Sequence, residues 1–387
     1  MKKYLEKNVY EALQDRLKFI FDNFDNIYVS FSGGKDSGLL LNMVLSYKRR
    51  NKIAKKIGVF HQDFEAQYQT TTDFVSRMFE NNLRDIEPYW VCLPMGSRCA
   101  VSNYQMYWYP WDPDKKELWV RPMPKMPYII NMDNNPFDFY RYKMVQEDLY
   151  AEFGEWYSRQ KKGKTICLLG IRADESLNRY RAYANDRKTI MQGNQWTTKM
   201  GENWWNAYPI YDWTTKDVWI ANGKFDYDYN RIYDLFWKAG LSISQMRVAS
   251  PYHESAKESL NLYRVLEPAT WVRVVSRVQG ANFGAIYGSS HALGARKIEL
   301  PPGHTWRSYV KFLLATLPEA MRRNYIEKFK TSIRFWWKKG GVVDEEAIKE
   351  LEACNYPIRH NGKSNYKSNK EKIAFLGTPD HTDDIKS

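Results

Sequence analysis

The sequence predicts an α/β fold: a doubly wound, mostly parallel sheet, followed by a mostly helical C-terminal domain. Three observations carry this. Strand-length apolar runs alternate with helix-length amphipathic runs up to about residue 225, the order that builds a parallel sheet with helices on both faces. A glycine turn, "SFSGGKDSGLLL", joins one apolar strand run to an apolar helix. Beyond about 225, successive amphipathic helices are punctuated by Gly and Pro.

Taken in order, an amphipathic helix (about 8–24) leads to an apolar strand (about 27–31) and a helix (about 37–49). The strand "KKIGVFHQD", a helix over about 67–82 and the strand "EPYWVCLP" continue the alternation. A long aromatic and proline-rich insertion over about 96–137 interrupts it. A helix near 137–160 and the strand "TICLLGIR" resume it, and "YPIYDWTTKDVWIAN" reads as a short extended segment and a helix. The expected organisation is a nucleotide-binding domain over 1–225, a helical domain over 226–360 and a polar, disordered tail over 361–387.

Composition narrows the class. The first helix is interrupted by charges, unlike a signal peptide, and no run approaches the roughly 18 apolar residues of a membrane span. A cytoplasmic location is expected. Four cysteines, Cys92, Cys99, Cys167 and Cys354, make neither a disulfide framework nor a metal-ligand spacing, so zinc and iron–sulfur clusters are not expected. Lys plus Arg exceed Asp plus Glu by 13. That balance suits a polyanionic partner, a nucleotide or a nucleic acid, but the excess is spread along the chain.

The glycine turn carries the chemistry. Gly33 and Gly34 let the backbone turn tightly and bring its N–H groups to a ligand. The helix that follows points its positive end at the same place. Ser32 and Ser37 add hydroxyls and Lys35 a cation, so the turn reads as a cradle for phosphate. It is not a Walker A loop, because Val29 stands where that motif needs glycine. Asp36 suits a magnesium ion or the orientation of the loop, with helix capping as its plain alternative. Asp63 and Glu65 follow a strand end, where open parallel sheets place ligands, and a ribose or Mg²⁺ contact is read for one of them. Arg172 and Arg179 follow "TICLLG" and are candidates to fork onto a phosphate, with an ion-pair network as the alternative. Asp212 and Trp213 are read as ordering the segment at the sheet edge, and His61, Trp213 and Trp219 as packing residues. "NWWNAY" and "RFWWKKG" fit base stacking and ordinary anchoring equally.

"SFSGGKDSGLLL" resembles the pyrophosphate loop of the ATP pyrophosphatase (PP-loop, adenine nucleotide alpha hydrolase-like) superfamily. "GVFHQDFEAQYQTT", "LLGIRADESLNRYR" and "YPIYDWTTKDVWIA" resemble, in the same order, segments of its phosphoadenosine-phosphosulfate (PAPS) reductase branch. The region beyond is similar to a subgroup with an uncharacterised helical C-terminal domain, to which the IbrA regulators belong. The resemblance implies ATP, or an adenosine phosphosulfate, cleaved at the α-phosphate. It implies Lys35, Asp36 and Arg172 in catalysis, and Ser32, Gly33, Gly34, Lys35, Asp36, Ser37, Asp63 and Arg179 on the nucleotide. Asp36 and Asp63 would hold Mg²⁺. It also implies two alternatives. One is a nucleotide-sensing regulator, of phage or prophage type, acting on DNA with a ParB-like partner. The other is a sulfonucleotide reductase, against which stands the missing C-terminal cysteine motif: Cys354 has no glycine and histidine directly after it, and His360 lies six residues on.

Overall fold

A computed structural model of the chain describes residues 6–102, 104–184, 188–256, 260–282, 301–304 and 306–337. Two compact units divide it: residues 1–97 with 108–277, and residues 98–107 with 278–387. The expected boundary near 225 falls inside the first unit.

The first unit is built on a seven-stranded sheet. Helix α1 (Val9–Asn23) starts in a capping box, with the Asn8 side chain accepting from the Tyr10 and Glu11 N–H groups and Glu11 reaching back. Then come β1 (Asn26–Ser30), α2 (Lys35–Arg50), β2 (Ile57–Gln62), α3 (Gln69–Glu80) and β3 (Ile86–Val91). The insertion supplies a two-stranded ribbon, β4 (Ser97–Arg98) and β5 (Tyr107–Trp108), and a short edge strand, β6 (Ile129–Ile130). Next are α4 (Gln146–Gln160), β7 (Thr165–Leu169), α5 (Leu177–Ala184), β8 (Thr197–Lys199), β9 (Trp204–Ala207) and α6 (Thr215–Lys224). Three further helices follow: α7 (Ile232–Lys238), α8 (Leu262–Leu266) and α9 (Pro268–Arg277).

The strand order is β6-β3-β2-β1-β7-β9-β8. Every pairing is parallel except β8 with β9. This is the doubly wound, mostly parallel architecture that the sequence predicts. Alternation along the strands divides the core. Ile27 and Val29 face the layer of α1, α2 and α3, with Leu17, Leu40, Val44 and Phe74. Tyr28 and Phe60 face the other side, against Phe153 and Tyr157 of α4. Between β1 and β7 the chain reverses the direction in which strands are added, and β1 ends there in the glycine turn. In open sheets such a switch point at the carboxyl end of the strands is where ligands bind.

Some elements differ from expectation. "NWWNAY" forms strand β9, with Trp204 and Trp205 buried in the core. "YPIYDW" is a chain of turns, not an extended segment. The helix expected from 137 begins at Gln146, after a series of turns. The second unit contains helices α10 (Trp306–Thr316) and α11 (Glu319–Trp337) among its described residues. No helix among the described residues is long and apolar enough to cross a membrane. Cys354, His360, "DEEAIKELEACN" and the tail over 361–387 lie outside the described residues, as do the side chains at the end of α11 that "RFWWKKG" covers.

Candidate functional site: a strand–turn–helix anion cradle

The turn between β1 and α2 has the features of a phosphate cradle. Gly33 takes a left-handed backbone (φ 75°) that a side chain would strain. A Cβ there would also sit 3.0 Å from Val75 Cγ2. Gly34 caps α2 from an extended conformation without any side-chain hydrogen bond. Among the described residues, the N–H groups of Gly33, Asp36 and Ser37 have no acceptor, as the first turn of a helix allows. The Ser37 hydroxyl donates to the Gly34 carbonyl (3.2 Å) and accepts from the Ser32 N–H (3.2 Å). It also lies 3.0 Å from Ser32 Oγ. Both hydroxyls are thereby held at the turn.

The charged residues are arranged behind it. Lys35 Nζ lies 3.0 Å from Asp36 Oδ2. Arg172 Nε lies 2.6 Å from Asp36 Oδ1. The Arg172 Nη1 reaches Asp174 (2.5 Å) and the Trp213 carbonyl (3.4 Å), and its Nη2 donates to Thr215 Oγ1 (3.1 Å). Arg172 is 1% exposed. It ties the end of β7 and the start of α6 to the first turn of α2. Gly170 allows this closeness: a Cβ there would lie 2.8 Å from the Ser37 backbone nitrogen and 3.0 Å from the Asp36 carbonyl carbon. Arg179 is half-exposed and pairs with Glu175 (2.5 Å), whose Oε2 also accepts from the Arg172 N–H (3.5 Å). Asp212 takes a two-pronged contact from Arg16 of α1 (2.6 and 2.8 Å), which anchors the turns before α6.

The other expected acids are placed elsewhere. Asp63 is fully buried at the end of β2. Its oxygens receive Arg121 Nη2 (2.5 Å to each), Trp90 Nε1 (2.9 Å) and the Glu65 N–H (2.8 Å). Burial pushes this carboxyl up, but Arg121, His61 and the Glu65 N–H outweigh it and hold the group below the usual carboxylate value. Glu65, fully buried with a left-handed backbone (φ 61°), accepts from the N–H groups of Trp111 and Val120 and pairs with Arg277 of α9 (2.8 Å). Two buried ion pairs thus pin the insertion and α9 to the end of β2. The expected magnesium pair is not assembled. Asp63 has no open oxygen, both Asp36 oxygens face cations, and among the described residues no group of three or more His, Cys, Asp or Glu is arranged to hold a metal. His61 is a packing residue against Phe31, Phe79 and Trp90, with Nδ1 2.8 Å from the Phe31 carbonyl.

Two side chains at the cradle, Tyr233 and Asn230, had no signal in the sequence, because they lie 198 and 197 residues beyond the turn residues they touch, while Trp219, read as a packing residue, is one. The Tyr233 hydroxyl accepts the Lys35 N–H at 3.0 Å, and its ring lies 5.8 Å from Lys35 Nζ. The Asn230 amide donates to the Gly33 carbonyl and to Thr71 Oγ1, both at 2.9 Å. Trp219 of α6 packs edge-on against Tyr233. A pocket of about 950 Å³ lies apart, in the insertion, lined by Trp111, Trp119, Arg121, Lys125, Met126 and Arg273 among others; no residue of the glycine turn lines it.

Comparison with known proteins adds the following. A family model described as a domain of unknown function (DUF3440) matches residues 240–387. Solved structures that the chain resembles include a PAPS reductase from Candida auris, with 13% identity, 60% of this chain, 93% of that one and a TM-score of 0.31. Others are the U34-tRNA thiolase NcsA from Methanococcus maripaludis, with 11% identity, 76% of this chain, 82% of that one and a TM-score of 0.35, and an NMN synthetase from Francisella tularensis, with 11%, 78%, 100% and 0.32. The E. coli K12 protein described as "Uncharacterized protein YbdN" is 34% identical over 358 residues, covering 91% of this chain and 86% of its own length. At that identity and coverage the chain belongs to the same family as YbdN.

Proposed function

We propose that the protein binds ATP at the β1–α2 turn and cleaves it between the α- and β-phosphates, transferring AMP to an acceptor and releasing pyrophosphate. The observation that supports this reading is the cradle itself: N–H groups of Gly33, Asp36 and Ser37 without an acceptor among the described residues, two hydroxyls and Lys35 converge at a helix N-terminus, where Gly33 has a left-handed backbone. The sequence of the turn, "SGGKDS", resembles the pyrophosphate loop of ATP pyrophosphatases. A pyrophosphate bound there meets N–H groups that need no rearrangement to receive it.

In the reaction, the acceptor's nucleophile forms a bond to the α-phosphorus. The bond to the bridging oxygen breaks, and the electron pair leaves with pyrophosphate. The acceptor's proton passes to solvent. The N–H groups and Lys35 neutralise the charge that develops on the leaving group. Arg172 acts from behind. Its N–H groups hold Asp36, Asp174 and Thr215, so it fixes the loop and adds positive potential without needing to touch the nucleotide. Both carboxylate oxygens of Asp36 and both of Asp63 are engaged by cationic side chains.

The test is turnover of α-labelled ATP by the full chain beside Gly34→Asp. A Cβ at Gly34 has ordinary room, 3.4 Å from Ser32 Oγ and 3.5 Å from the Tyr233 oxygen, so this variant should fold and place a carboxylate in the cradle. Expected is AMP, free or as an adduct, with pyrophosphate, and neither in the variant. Release of ADP and phosphate alone would sink the mechanism.

A further inference from the structure

We propose that Tyr233 is a phosphate ligand: its hydroxyl, which accepts the Lys35 N–H, donates a hydrogen bond to an oxygen of the bound pyrophosphate group. This rests on the reading of the turn as an ATP cradle and adds to it a ligand from α7. A tyrosine hydroxyl has one proton to give and two lone pairs. The Lys35 N–H takes one lone pair at 3.0 Å. Among the described residues the proton has no acceptor. The oxygen stands over the turn, 3.5 Å from where a Cβ of Gly34 would be, with Ser32 Oγ 3.4 Å from the same point. Two hydroxyls therefore flank the glycine on which a phosphate would sit.

The alternative is that the hydroxyl blocks the helix N-terminus and must leave before a ligand enters. Packing argues against departure. The ring is 3% exposed and is held edge-on by Trp219 (5.2 Å) and Phe236 (6.0 Å). The start of its helix is fixed by Asn230, which bonds the Gly33 carbonyl and Thr71 and accepts the Ile232 N–H (3.1 Å). A hydroxyl that stays in place and carries a spare proton next to a phosphate becomes a charge-assisted donor, stronger than a neutral one. Burial and the neighbouring Asp36 push the phenol's pKa up, so the proton remains on the oxygen at neutral pH.

The experiment is calorimetric titration of the full-length native chain, Tyr233→Phe and Gly34→Asp with pyrophosphate, ATP and AMP. Phenylalanine keeps the ring and removes only the oxygen. Expected is a loss of at least about tenfold in affinity for pyrophosphate and ATP, with AMP unchanged and Gly34→Asp binding no pyrophosphate. An unchanged or tighter Tyr233→Phe, or an equal loss for AMP, overturns the proposal while the cradle stands. If native protein and Gly34→Asp bind pyrophosphate alike, the cradle reading falls and the role of Tyr233 with it. Should the phenylalanine variant fail to fold, 3-fluorotyrosine at position 233 decides: its ¹⁹F resonance must move on adding pyrophosphate and stay still with AMP, and no movement overturns the proposal.

Discussion

At Gly170 and Arg172 the geometry of the turn depends on groups packed behind it. Gly170 lies against the backbone of Asp36 and Ser37 so closely that one methyl group has no room. Gly170→Ala must therefore push the first turn of α2 away. The expected result is a loss of about 1–3 kcal/mol in urea unfolding, the usual cost of overpacking, together with weaker pyrophosphate binding. A variant with native stability and affinity would show that the two backbones are not in contact. Arg172 was read as a candidate to fork onto a phosphate, with an ion-pair network as the alternative. The structure engages its guanidinium with Asp36, Asp174, Thr215 and the Trp213 carbonyl. The residue type and its place at a strand end were readable from the sequence. Its partners were not, because Asp36 lies 136 positions away and spacing says nothing about which side of a buried guanidinium a ligand would meet.

At the scale of the element, strand β2 ends in two buried titratable groups, His61 and Asp63, and these set how the fold responds to acid. Burial lowers the imidazole's pKa below 6.5. Burial pushes the carboxyl up, but Arg121, His61 and the Glu65 N–H together outweigh it and hold its pKa below 3.8. Each group binds protons more readily in the unfolded chain, so stability falls as pH falls. The loss begins near pH 6.5 through His61, and below about pH 4 Asp63 adds to it. Urea unfolding at a series of pH values should show this two-stage decline, and His61→Phe, which suits the ring cluster of Phe31, Phe79 and Trp90, should flatten the stage between about pH 5 and 6.5. A native profile flat down to pH 5 would contradict the assignment. The elements that bear the site were legible: β1, α2, β2, α3, β3 and β7 follow from apolar periodicity and one glycine turn. The hairpin β8–β9 and edge strand β6 were not. They have two to four residues each, too short for a period to register, and Trp204 and Trp205 are strand residues only because a sheet was already there to receive them.

At the scale of the whole molecule, the first unit closes through contacts very far apart in sequence. Asp212 is tied to Arg16, Tyr233 to Lys35 and Arg277 to Glu65, separated by 196, 198 and 212 residues. The sequence suggested a nucleotide-binding domain complete by about 225, since the motifs end there. The grip on the glycine turn comes later, from Asn230 and Tyr233. A fragment of residues 1–225 should accordingly bind pyrophosphate far more weakly than one of residues 1–277, and equal binding would show that α7 is dispensable. The reach of Tyr233 back to Lys35 also has a temporal meaning. A ribosome adding about 5–20 residues per second needs on the order of ten to forty seconds to travel from one to the other. Throughout that interval the emerging chain carries its glycine turn without the Tyr233 and Asn230 contacts that hold it. The proposed nucleotide site is therefore among the last parts of this unit to be finished during synthesis, although its signature is among the first parts to be translated.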